Sequence, residues 1–145
     1  MYPFYRECEL FKPVYDYFCK QGYTVVEEVR IGFCRADLVA FKEKTVTAVE
    51  LKLADRKRAV VQAKNYQLGA DYVYIAFPNK KIPLLLQKSA SQLRSEGIGL
   101  LGIDEQTCTV EQIITAQSSA RKFASITLDE LCRRRSKHSR LYKYF

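Results

Sequence analysis

Two apolar runs, Leu38 to Phe41 and Val46 to Leu53, stand only four residues apart, and charge intrudes on both. The intervening Lys42-Glu43-Lys44-Thr45 is polar and short enough for a β-hairpin. Asp37 opens the first strand, and Glu50 and Lys52 interrupt the second. Charges at such places cost free energy unless they are paired or employed. A symmetric loop centred on Glu43 and Lys44 sets Asp37 directly across from Glu50. Opposed side chains in an antiparallel pair have Cβ atoms about 4.5–5.5 Å apart, and like charges there are destabilising, so the pair asks for a cation. Alternation puts Glu50 and Lys52 on one face and Val49, Leu51 and Leu53 on the other. The loop lacks the Asn-Gly signature of a tight turn, which leaves a one-residue slip open.

The flanking chain supplies a scaffold. Leu10, Val14, Tyr17 and Phe18 recur at helical spacing, which predicts a helix from Glu7 to Gln21, ended by Gly22. Pro13 suits a regular helix that starts only after an initial turn. Glu7 lies on the apolar stripe and Glu9 off it. Glu7 is therefore the better site candidate, with a first-turn acid favoured by the helix dipole as the rival reading. Tyr23 to Val29 is a β-branched strand, and 31–35 is a turn. Asp55 caps a helix that begins Arg56-Lys57-Arg58 and sets Ala59, Gln62 and Tyr66 on one face. Asp71 to Phe77 is nearly all apolar and predicts a central strand buried on both sides. Pro83 and Gly97 bracket a further helix from about Leu84 to Ser95. Ile98 to Ile103 and Cys108 to Ile114 read as strands, the latter an edge hairpin. Thr115 to Ala120 is linker-like, and Thr127 with Glu130 forms a capping-box pattern for a last helix around Leu128 to Lys137. The order is helix, three strands, helix, strand, helix, strand: an α/β domain over 1–116 followed by a basic tail over 117–145.

At 145 residues the chain is one domain, large enough for a real core. The five cysteines, Cys8, Cys19, Cys34, Cys108 and Cys132, are widely spaced with no CxxC. That argues against a zinc site or disulfide scaffold and for reduced thiols in a cytoplasmic protein. The N-terminus has no signal-peptide pattern, and no apolar run approaches a membrane span. The formal charge of +8 is uneven: residues 117–145 hold eight of the 24 basic residues and two of the 16 acidic ones. A basic appendage that includes Arg133, Arg134 and Arg135 suits a polyanionic partner such as DNA; a solvated tail is the plainer reading. Arg56, Lys57 and Arg58 pose the same choice between gripping phosphates and solvating a helix start. The lone His138 belongs to the tail.

Two acids from adjacent strands, a third from a helix and a lysine two residues after the second suit a hard divalent cation. Mg²⁺ takes oxygen ligands and keeps several waters, so two or three carboxylates suffice. Such a metal polarises a phosphoryl oxygen and activates water, while an ammonium beside it steadies the charge that develops. These parts describe phosphodiester hydrolysis.

Asp37, thirteen residues, then Glu50-x-Lys52 resembles the motif of the PD-(D/E)xK nuclease superfamily, and the predicted order resembles its restriction-endonuclease-like αβββαβ core over about residues 5–103. The resemblance implies a Mg²⁺-dependent deoxyribonuclease, with Mn²⁺ as a substitute. It implies that Asp37, Glu50 and the Leu51 carbonyl bind metal and that Lys52 assists the attacking water or the transition state. Glu7-Cys8-Glu9-Leu10 is similar to the E-x-E-L turn of the archaeal Holliday-junction-resolvase branch, which implies a further metal ligand there. Gln62 and Tyr66 match the Q-x-x-x-Y of recombination-type exonucleases, which implies that they support the site or the DNA strand. Double-stranded or branched DNA is the implied substrate, and a homodimer stays open. Ala36 stands where the motif has proline, Cys8 where the resolvase branch has arginine, and the iron–sulfur cysteine pattern of some exonucleases is absent. The rival from another class is a non-catalytic nucleic-acid-binding module on the same scaffold.

Overall fold

The computed structural model describes residues 4–31, 34–120 and 122. Among them the chain forms a six-stranded mixed sheet in chain order, flanked by three α-helices. Strands β1 (Thr24–Ile31), β2 (Cys34–Lys42) and β3 (Thr45–Leu51) form an antiparallel meander. Helices α2 (Arg56–Tyr66) and α3 (Ile82–Glu96) carry the chain to β4 (Tyr72–Pro78) and β5 (Gly99–Ile103), both parallel to their predecessors. The last strand, β6 (Val110–Ile114), returns antiparallel along β5. Such parallel pairs need crossover helices, which is why the periodicity switches between strand and helix in this half of the chain.

The core is split by the sheet. Val39, Val46, Ala48, Val73, Ile75 and Phe77 pack beneath α2 and α3. Leu38, Ala40, Val49, Leu51 and Ala76 pack beneath α1 (Phe11–Lys20) on the other face. The nearly continuous apolar run of β4 follows from this, since its alternate residues feed both clusters. Burying each of Leu38, Ile75 and Leu100 completely is worth about 1.5–3 kcal/mol.

The β2–β3 hairpin has the symmetric register, from Lys42↔Thr45 to Leu38↔Val49, with no slip. Glu43 takes a positive φ of 58°, doing what Asn or Gly does in a tighter turn. Pro83 and Gly97 close off α3 as expected, with Gly97 at φ 73°.

Three local expectations are corrected. The turn expected over 31–35 is shorter, because Ile31 ends β1 and Cys34 opens β2. The helix predicted over Glu7 to Gln21 is a 3-10 turn at Glu7–Leu10 followed by α1, which runs from Phe11 to Lys20. Pro13 sits in the first turn of α1, where its missing N–H costs nothing. The stretch Thr115 to Ala120 is no free linker. Gln117 N donates to the Gly97 carbonyl at 3.0 Å and Ser119 N to the Asp71 carbonyl at 2.8 Å, and Lys122 pairs with Asp71. The body thus holds Gln117, Ser119 and Lys122. The predicted helix around Leu128 to Lys137, with Arg133, Arg134, Arg135 and His138, lies outside the described residues. Cys8, Cys19, Cys34 and Cys108 are free thiols. No helix among the described residues is long and apolar enough to cross a membrane.

Candidate active site

β3 is the middle of the site because it has a hydrogen-bonded partner on each side, antiparallel β2 and parallel β4. Its alternation turns Glu50 towards the α2 side, where it is 3% exposed, and Lys52 follows at 9%. The β2 register, carried one step past Leu38↔Val49, sets Asp37 opposite Glu50, where the charge of Asp37 acts on the Glu50 carboxyl. Lys52 Nζ lies 3.5 Å from Glu50 Oε2.

Three consecutive amides after Glu50 are each spoken for. Leu51 N donates to Asp37 Oδ2 at 2.8 Å, Lys52 N to the Ala76 carbonyl at 3.0 Å, and Leu53 N to Glu7 Oε2 at 3.1 Å. Glu7 is therefore an exposed residue of the opening turn, not a buried one on the helix stripe, yet it reaches the end of β3. The 3-10 geometry, with three residues per turn, takes it off the α1 stripe. Glu9 is used differently: its Oε1 accepts from Tyr5 N at 3.0 Å and Arg6 N at 2.7 Å and ties the chain start. Of the two acids, Glu7 is the one that reaches the end of β3.

Burial sets the electrostatics. The Glu50 carboxyl is pushed up to about 7, first by burial and next by the Asp37 charge, with Tyr66 and Lys52 pulling the other way. Asp37 is also raised, first by burial, with a smaller push from Glu7, against the Leu51 N–H and Lys52. The corner holds more negative charge than one lysine balances.

Helix α2 closes the site from above. Asp55, at φ 58°, caps it, with Oδ1 accepting from Arg58 N at 3.2 Å. Tyr66 is fully buried, its hydroxyl 2.6 Å from Glu50 Oε1 and 2.9 Å from the Arg35 carbonyl. Of the two roles open to it, Tyr66 thus supports a carboxylate; it has no surface to offer a DNA strand. Gln62, one turn earlier, keeps a buried Oε1 with no hydrogen-bond partner. Arg56 is half-buried and reaches Ser89 Oγ at 3.3 Å, whereas Lys57 and Arg58 face solvent. Arg56 and Lys57 rim a cavity of about 330 Å³ together with Lys81, over Phe77 and Leu85. Lys81 escaped the sequence reading because it sits in the short turn before α3. The Arg35 and Ala76 carbonyls escaped it because backbone acceptors leave no residue signature.

Among the described residues no three His, Cys, Asp or Glu side chains are gathered closely enough to enclose a metal alone. The donors present still fit Mg²⁺, which is ordinarily held by one or two carboxylates with waters and substrate phosphates completing its shell. Among the described residues Asp37 Oδ1 accepts from no N–H, Glu50 Oε2 has the long contact to Lys52, and the Gln62 acceptor is unpartnered one turn before Tyr66 on α2. Comparison with family models, curated proteins and solved structures gave no match.

Proposed function

We propose that this chain is a Mg²⁺-dependent nuclease with a restriction-endonuclease-like core, hydrolysing phosphodiester bonds of DNA. One observation carries the reading: Asp37 and Glu50 meet in one corner of the sheet, Glu50 deeply buried, with Lys52 3.5 Å from Glu50 as its ammonium partner. Like charges so placed are costly unless a further cation is meant to join them. Asp37 and Glu50 would hold Mg²⁺, with the Leu51 carbonyl between them and Glu7 at the rim. The cation would supply polarisation of the phosphoryl oxygen and acidification of a bound water. Lys52 orients the attacking water or steadies the oxygens on which charge accumulates. Tyr66 holds the Glu50 carboxylate in place, and Gln62 offers its acceptor to a metal-bound or attacking water.

The start of α2 adds support. Three cations in the first turn of a helix oppose its dipole, so Arg56, Lys57 and Arg58 weaken α2 and are better explained by a phosphate backbone. The element order, a helix, three antiparallel strands, a helix and a parallel strand, agrees with the αβββαβ core that the motif implies.

The test is incubation with plasmid, linear, single-stranded and branched DNA in Mg²⁺, Mn²⁺ or EDTA, beside a Lys52→Ala control. Cation-dependent cleavage is expected, reduced about 100- to 1000-fold in Lys52→Ala, the loss typical of one transition-state donor. No cleavage in either cation, or undiminished cleavage by the variant, ends the reading. The Lys52–Glu50 ion pair favours one rival, a scaffold that binds nucleic acid without cutting. Binding that weakens steeply with salt and leaves every substrate intact would select it.

A further inference from the structure

Among the described residues, the sheet face that carries α1 is only partly covered. A ten-residue helix is about 15 Å long, whereas six strands span about 24 Å. The open part lies at the strand ends away from Glu50 and forms a cavity of about 490 Å³. That falls within the usual range of small-ligand sites, about 300–1,000 Å³. Four tyrosines line it, Tyr17, Tyr23, Tyr72 and Tyr74, together with Thr45 and Thr47.

Tyr74 is the fixed piece. Its hydroxyl lies 2.6 Å from Gln112 Oε1 and accepts from Ala116 N at 3.3 Å. Its ring leans across Gly99, where a Cβ would lie 2.2 Å from Cε1. Glycine on β5 therefore lets an aromatic ring settle over the sheet surface. The Tyr74 phenol is raised by burial and then by Tyr17, Tyr23 and Tyr72, the other three tyrosines that line the cavity. The hydroxyls of Tyr17, Tyr23, Tyr72, Thr45 and Thr47 make no hydrogen bond with other described residues. Lys42 stands at the mouth, its Nζ donating to the Gln21 carbonyl at 2.8 Å and lying 5.6 Å from the Tyr23 ring centroid. An ammonium has three N–H donors, so two of Lys42's remain. Glu43 also lines the cavity, so an anionic group is welcomed only where it meets the two unused Lys42 donors.

We propose that this cavity is a nucleotide-binding site, the base stacked on the tyrosines of β4 and edged by the free hydroxyls, its phosphate held by Lys42. Aromatic rings on a sheet surface accept a base face of any sequence, and a nearby cation fixes the attached phosphate. The nucleotide is either free or one unit of a single strand.

The probes are thymidine, thymidine 5′-monophosphate and a short oligothymidylate, with the full chain in EDTA so that no metal-bound phosphate contributes. The chain has ten tyrosines and no tryptophan, so tyrosine fluorescence reports directly. The monophosphate should bind more tightly than the nucleoside, and Lys42→Gln should weaken it about tenfold, the loss of one charge-assisted hydrogen bond. Tyr72→Leu should weaken all probes with the melting temperature little changed, and Lys42→Gln, at an exposed position with one hydrogen bond to lose, should lower the melting temperature only modestly. Binding of the oligomer alone, sensitive to both variants, identifies a strand as the source; tighter monophosphate binding identifies a free nucleotide. No binding of any probe, or binding indifferent to both variants, overturns the site. Because the cavity lies on the face away from Glu50, plasmid cleavage without probe binding sinks this proposal alone. Probe binding without cleavage sinks only the nuclease.

Discussion

Replacing Glu50 by glutamine should make the metal-free protein more stable at pH 8 while abolishing cleavage. Glu50 is 3% exposed and its carboxyl is pushed from an ordinary 4.5 up to about 7. A carboxyl whose folded value is raised favours the native state most below its unfolded value, and that advantage is lost as pH climbs through about 7. The gap between the two values comes to about 3 kcal/mol, the most that keeping Glu50 ionised costs at alkaline pH. Glutamine has the same shape and still accepts from Tyr66, but it cannot ionise. Urea unfolding in EDTA, followed by far-UV circular dichroism across pH 5 to 9, reads this directly. The two proteins should be close at pH 5, and the variant should lead by about 2–3 kcal/mol at pH 8 with an unchanged denaturant slope. Added Mg²⁺ should restore the wild type by mass action and leave Glu50→Gln untouched. A variant less stable than wild type at pH 8 would refute the reasoning, because Lys52 would then over-compensate the buried charge.

Gln62→Leu should raise stability in EDTA by about 1 kcal/mol or more, since it removes a buried unpaired acceptor. Cleavage should fall at the same time, and a variant that loses stability would show the amide to be satisfied. Removing residues 123–145, which takes away Arg133, Arg134, Arg135, Lys137, Arg140 and Lys143, should flatten the salt dependence of DNA binding. Each lost phosphate contact removes about 0.9 from the slope of log K against log salt. The cut belongs at 123 because Gln117, Ser119 and Lys122 are docked on the body, and an unchanged slope would make the tail a solvated surface.

The opposition of Asp37 and Glu50 was legible because a polar loop between two apolar runs leaves few registers that keep both hydrophobic faces buried. The span of α3 was legible from Pro83 and Gly97, each of which signals through its own backbone preference. What stayed hidden rests on main-chain partners. Gln117 and Ser119 look like linker residues by composition, yet their amides are bound to Gly97 and Asp71. The 3-10 opening at Glu7 differs from an α-turn by a fraction of a residue per turn, which spacing alone does not resolve. Tyr66 reads as one aromatic on a helix face, and only the approach of β2 to α2 shows that its hydroxyl meets both Glu50 and Arg35.

Residues 51 to 53 fasten three separate parts of the molecule in succession: β2 through Asp37, β4 through Ala76 and the opening turn through Glu7. The acids of the site are thus also rivets of the scaffold. Alanine at Asp37 or Glu7 would loosen the frame as well as empty a proposed ligand position, whereas Asp37→Asn and Glu7→Gln keep the acceptor and change charge alone. The amide protons of Leu51 and Leu53 become native reporters, and their resonances should move when the carboxylates that hold them take on a cation.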